Sequence, residues 1–203
     1  MSPLALYLAL ASWSALTPRG PVATMFSADL DGDGIDDHIA FHKAADDTRG
    51  FLHVTSDLGP LRTEPRTSPI YPAWKAVAGH LDASRADRIV LGVWTTKNTR
   101  AGEPPKKSVW VVALDGPRFR ELWRGSALAR PFDDFMVADL DQDGIDELVV
   151  RECSDPKAQG FTAYRWSGFG FGGLARLGSP CDAGRVAWPR LRLSGGRLWL
   201  DDS

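Results

Sequence analysis

Cysteine, methionine, histidine and net charge are all scarce in this chain of 203 residues. Its two cysteines, Cys153 and Cys181, stand 28 residues apart and make no C-x-x-C pair, which excludes the common zinc-ribbon and dithiol spacings. In an exported protein they would close one disulfide; in a cytoplasmic one they would be two buried thiols. Of the four histidines, His38 and His42 come nearest to a metal pair. Their segment reads as a strand, however, where positions four apart lie about 13 Å from each other at about 3.3 Å per residue, too far for one zinc ion. A formal net charge of -2, from 24 basic and 26 acidic side chains, gives no field to hold a nucleic-acid backbone or an anionic membrane. There is no G-x-S-x-G elbow, phosphate loop or H-E-x-x-H. Gly168–Gly173 is glycine-rich but lacks the strand-then-helix setting of a dinucleotide fingerprint, and reads as a turn and strand.

What the chain does contain is glycine, proline and large aromatics: 20 Gly, 14 Pro, 8 Trp and 9 Phe. With 43% hydrophobic and 25% charged residues, this is the composition of a globular chain built from many short strands and tight turns. The one long apolar run is Leu4–Leu16, followed by Thr17-Pro18-Arg19-Gly20. It has the length of a signal peptide, with small-x-small cleavage signals at Ala9-Leu10-Ala11 or Ser12-Trp13-Ser14, and it is too short to span a bilayer. No basic residue precedes it, so a buried first strand or helix is the competing reading. Residues 1–20 are therefore set apart as an export segment, and 21–203 as the folded domain. The expected location is the periplasm, cell surface or exterior.

Within that domain three stretches superpose without gaps, starting at Phe26, Val77 and Met136, which are 51 and 59 residues apart. Such a period signals one supersecondary unit repeated. Short β segments fill the spaces between: Ile39–Phe41, Phe51–Thr55, Arg88–Trp94, Ser108–Leu114, Phe119–Trp123, Leu148–Arg151 and Phe161–Trp166. An acidic loop sits between the first two strands of each unit and two strands follow. The expected fold is all-β: a β-propeller-like array of about three four-stranded blades, a partial or small propeller with its loops between strands. Exposed blade edges would leave self-association open. The tail Arg185–Asp201 reads as a last hairpin turning at Ser194-Gly195-Gly196 and capping an edge.

The loops carry the chemistry. In the first, Asp29, Asp31 and Asp33 alternate, Gly34 follows at the sixth position and Asp37 at the ninth; the third repeats this as Asp139, Asp141, Asp143, Gly144 and Glu147. Alternate carboxylates on a tight loop converge on one point, and the backbone carbonyl of Ile35 or Ile145 adds an oxygen, a donor set suited to Ca2+. Glycine at position six permits the sharp turn. Crowded acidic groups repel one another unless a cation intervenes; the competing reading is a pair of solvated acidic turns. An EF-hand would require Glu at position twelve, where Ala40 and Val150 stand in apolar runs. Two calcium sites are thus expected. The middle loop has His80, Asp82, Ser84, Arg85 and Arg88 at positions one, three, five, six and nine, and should bind none. There the Arg88 guanidinium would bridge to Asp82 near the vacated ion position, or stay exposed.

The D-x-D-x-D-G-x-x-[D/E] loop followed by an apolar strand, as in Asp139–Val150, resembles the FG-GAP or VCBS repeats of integrin α-subunit propellers and of exported bacterial proteins. The likeness covers about 26–171 and is strongest over Trp74–Phe171. The resemblance implies a propeller-type domain with calcium in blade loops, serving adhesion, ligand binding or support, and no catalytic residue.

The expected function is an exported calcium-binding module for a protein or glycan ligand, without catalysis. The alternatives are a cell-envelope hydrolase acting on polysaccharide through acids outside the loops, and an intracellular propeller fragment. Segment Thr95–Ser108, with Lys97, Arg100, Lys106 and Lys107 against Glu103, is the longest clear insertion and reads as a solvated variable loop, with an acidic partner or polyanionic glycan as the second reading. The tryptophans at 74, 94, 110, 123, 166, 188 and 199 recur in strands and read as packing between blades, with sugar stacking as the second reading.

Overall fold

A computed structural model describes residues 22–46, 48–56, 65–97, 99–125, 128, 130–153, 159–179 and 188–200. The expected export segment at 1–20 and Cys181, one half of the expected disulfide, lie outside these residues.

The chain is all-β. Strands β1 (Val22–Ala28), β2 (Asp37–Lys43), β3 (Gly50–Thr55) and β4 (Arg66–Thr67) form one antiparallel sheet in chain order. The same order recurs in β5 (Ala73–Gly79), β6 (Arg88–Thr95), β7 (Lys106–Asp115) and β8 (Arg118–Arg124), and again in β9 (Asp134–Ala138), β10 (Glu147–Glu152), β11 (Gly160–Trp166) and β12 (Phe171–Gly178). These are three four-stranded blades, as the repeat spacing predicts. A two-stranded hairpin, β13 (Leu191–Ser194) and β14 (Arg197–Leu200), follows. Its turn residues Gly195 and Gly196 have φ of 57° and 70°, the doubly left-handed geometry that matches the twist of a tight hairpin.

The blades stack face to face through three apolar layers. Between the first and second lie Ile39, Phe41, Leu52 and Val54 against Ile89, Leu91 and Val93. The next layer brings Val90, Val109 and Val111 against Phe135, Leu148, Val150 and Trp166. Strand β6 therefore buries both faces, alternating between two neighbours, which is why it reads as an unbroken apolar run. Gly92 lies in that run because a Cβ would stand 2.6 Å from the Phe135 ring and 2.7 Å from Trp74, whose edge-to-face contact fills the space. The third layer sets Val149, Phe161 and Ala163 of the last blade against Leu193 and Leu198 of the hairpin. The hairpin stands where a further blade would begin. Burying each large side chain in these layers is worth about 1.5–3 kcal/mol.

Among the described residues no helix is long and apolar enough to cross a membrane. The tryptophans serve mainly as packing: Trp166 is buried, Trp74, Trp123, Trp110 and Trp188 lie against the three layers, and Trp199 is exposed. His38 and His42 sit on β2, both on the face opposite Ile39 and Phe41.

Candidate metal loops

Each acidic loop joins the first and second strands of its blade: β1 to β2, β5 to β6 and β9 to β10. Position two is a leucine in every copy. Leu30, Leu81 and Leu140 are all buried, each in the apolar layer beyond its own blade, so the loop is anchored before its side chains do any chemistry.

In the first loop the Asp29 carboxylate accepts backbone N–H groups from Gly32 (2.7 Å), Asp33 (3.1 Å) and Gly34 (2.8 Å), folding the turn around itself. Asp33 accepts from Ile35 N–H at 2.8 Å. Gly32 and Gly34 have φ of 80° and 87°, backbone that a side chain would strain. Oxygens of Asp29, Asp31 and Asp33 come within 4.8 Å of one another. Asp37, only 2% exposed, turns instead to the Leu30 N–H (3.1 Å) and the Ser56 hydroxyl, closing the loop from position nine to position two. Burial raises its pKa, against the opposing effect of those two hydrogen bonds.

The third loop has the same backbone. Asp139 accepts from Asp143 N–H (3.1 Å) and Gly144 N–H (2.9 Å), Asp143 from Ile145 N–H (2.9 Å), and Glu147 from Leu140 N–H (3.0 Å). Gly144 has φ of 86°, and Gln142 adopts 62° where the first loop has Gly32. Oxygens of Asp139, Asp141 and Glu147 converge within 4.8 Å, and Glu147 is fully buried.

The difference between them is a cation. Arg165 on β11 extends its guanidinium into the third loop, donating from Nη1 to Asp143 (2.6 Å), from Nη2 to both Asp141 oxygens (3.3 and 3.2 Å) and to Glu147, and from Nε to Glu147 (2.9 Å). Hydrogen bonding to Glu147 raises the Arg165 pKa, so the guanidinium stays charged, and the bond from Arg165 holds Asp143 below the usual carboxylate range. Burial pushes Glu147 up against these bonds. The pairing of Leu148 with Tyr164 places Arg165 opposite Glu147; by the corresponding register Ser56 stands opposite Asp37, and Ala113 opposite Arg88. Among the described residues no cationic side chain stands in ion-pair contact with an acid of the first loop, although the Arg66 charge acts on Asp37 and lowers its pKa against the effect of burial.

In the middle loop the Arg88 guanidinium donates to Ser84 Oγ at 2.8 Å, with its Nε 3.5 Å from an Asp82 oxygen. Arg85, at position six, is not left-handed, so this loop differs in backbone as well as in side chains.

Position eight holds an aspartate in all three copies, Asp36, Asp87 and Asp146, a signal that the acidic crowd around it hides in the sequence. Asp87 N–H donates to the Asp29 carbonyl (2.6 Å) while its carboxylate accepts the Asp29 N–H (3.2 Å). Asp146 does the same to His80, with both bonds at 2.7 Å. Each loop thus clasps position one of the loop before it. Among the described residues no repeat precedes Asp36, which is exposed.

Two other expected features change in the structure. The insertion after β6 is shorter than Thr95–Ser108, because β7 begins at Lys106. Its cations are not all outward: Lys107 lies over the Trp74 ring at 4.2 Å and bonds the Asp133 carbonyl, while Lys106 pairs with Glu103 at 3.5 Å. A cavity of about 320 Å³ beside Trp123, Tyr164 and Phe171 contains one carboxylate, Glu152. That group is 2% exposed and bound by Thr162 (2.8 Å) and Arg176 (3.0 Å).

A scan against protein-family models finds no match for this chain, and a search of curated proteins finds none either.

Proposed function

We propose that this chain is a calcium-binding repeat module of the FG-GAP or VCBS kind, exported and used for binding a protein or glycan or for structural support. The observation that carries the reading is the first loop. Three carboxylates with oxygens within 4.8 Å of one another are held on a backbone with two left-handed glycines. Hard oxygen donors on a flexible loop suit Ca2+, which takes six to eight oxygens at about 2.3–2.6 Å. Asp29, Asp31 and Asp33 would hold the ion, with Asp37 and the Ile35 carbonyl as the further oxygens expected from the sequence; Asp139, Asp141, Asp143, Glu147 and the Ile145 carbonyl form the corresponding set in the third loop. The bound ion would neutralise the loop and fix the turn between β1 and β2. Three in-register repeats, each folded as one four-stranded blade, support the family reading. Export and a Cys153–Cys181 disulfide belong to the same proposal.

Calcium titration with thermal melting tests it. Saturating Ca2+ should raise the melting temperature, since an ion bound only by the folded state stabilises it by about 2.7 kcal/mol at a hundred times the dissociation constant. Asp31→Ala should abolish most of that rise. An unchanged melting curve in wild type would refute calcium binding.

A further inference from the structure

The first and third loops share a ligand pattern and a backbone, yet they differ in what stands opposite position nine. In the first it is Ser56, a neutral hydroxyl bonded to Asp37. In the third it is Arg165, whose guanidinium reaches Asp141, Asp143 and Glu147 together. These are three of the carboxylates an ion would need. A divalent cation at about 2.3–2.6 Å from the same oxygens would lie against the guanidinium, and like charges at that separation repel strongly in a partly buried setting. The two cations are mutually exclusive. The middle repeat reaches the same arrangement from another direction, with Arg88 supplied by position nine itself and set against Asp82 and Ser84. Arginine in place of an ion therefore occurs twice, on two different strands.

We propose that Arg165 is the built-in cation of the third loop, so that the chain takes up one tightly held divalent ion, at the first loop, and the third loop accepts one only when Arg165 is removed or displaced. The count of one rests on the calcium reading of the first loop; the role of Arg165 does not. Arginine suits the task because its planar fork bonds several carboxylate oxygens at once and stays charged at any physiological pH. The third repeat would then keep its turn in calcium-poor surroundings, while the first would order with the ion.

Calcium binding to the full chain, measured by isothermal titration calorimetry with terbium luminescence as a second probe, tests this. Wild type should bind one ion tightly and Arg165→Ser, which copies Ser56, should bind two. Asp31→Asn should remove the tight site from wild type, whereas the double variant with Arg165→Ser should retain one. Without calcium, Arg165→Ser should melt below wild type and recover on adding the ion. Two wild-type sites within about threefold in affinity, one of them lost in Asp141→Asn, would overturn the proposal, as would a folded Arg165→Ser chain that gains no site. Should Arg165→Ser not fold even with calcium, Asp141→Asn decides alone: an unchanged count supports the proposal and a reduced count defeats it. Should wild type bind no ion at all, the calcium reading of the first loop fails, yet a site gained in Arg165→Ser still supports the role of Arg165.

Discussion

Replacing Asp146 with alanine should loosen the second and third blades from each other, whereas the same change at Asp36 should do almost nothing. Both occupy position eight of the loop, but among the described residues only Asp146 of the two has a neighbouring loop to hold, through the paired bonds to His80 at 2.7 Å. A hydrogen bond to a charged group is worth about 1.5–3 kcal/mol net. Part of this is offset because burial raises the Asp146 pKa, which means that the ionised form is itself disfavoured. The expected loss for Asp146→Ala is therefore about 1–2 kcal/mol, including the His80 N–H left without its acceptor. At about 2–4 °C per kcal/mol for a chain of this size, that is a clear shift in a melting curve. Asp87→Ala, with its longer 3.2 Å bond, should lose less; Asp36→Ala should stay within about 0.5 kcal/mol. Asp146→Asn keeps an acceptor and sheds the charge. The folded state holds the Asp146 proton more tightly than the unfolded, so its contribution is full at low pH and is lost as pH rises through the raised value. Asp146→Asn should accordingly gain on wild type as pH approaches neutrality. Thermal and urea unfolding of all four variants, in chelator, provide the measurement. Equal losses for Asp36→Ala and Asp146→Ala would show that position eight does not join repeats.

Gly92→Ala should cost about 1–3 kcal/mol by overpacking, since its methyl would press on Phe135 and Trp74; urea unfolding reads the loss. Tyr71 is 3% exposed, and burial, with the Glu121 charge adding to it, raises its pKa to about 12. The phenol keeps its proton longer when folded, so stability should fall between pH 10 and about 12, by about 2–3 kcal/mol at 1.36 kcal/mol per unit. Ultraviolet titration of wild type against Tyr71→Phe should show a late-ionising phenol that the substitution removes, together with the loss of stability.

Much of this architecture was legible from local pattern. Short apolar and aromatic segments set between turn residues mark the strands, and the gapless superposition of Phe26, Val77 and Met136 marks the blades, because a repeated unit writes its period directly into the chain. The convergence of Asp29, Asp31 and Asp33 was legible for the same reason, all three lying within one turn. What escaped notice depends on contacts between distant segments. Arg165 reaches its carboxylates from 18 to 24 residues away, through the β10–β11 pairing. The grip of Asp146 on His80 spans 66 residues. A signal for the latter was present as an aspartate in all three repeats, masked by the acidic crowd around it. Lys107 reads as a surface charge in the sequence, and strand pairing carries it over Trp74.

The three loops join their blades through a position distinct from the clustered carboxylates. The middle copy has no carboxylate at positions one, five or nine, yet keeps Asp87 and with it the bond to Asp29. Mineral chemistry and masonry are written in different letters of the same word. On the calcium reading, an ion can serve one copy and an arginine another, while the blades stay joined through position eight.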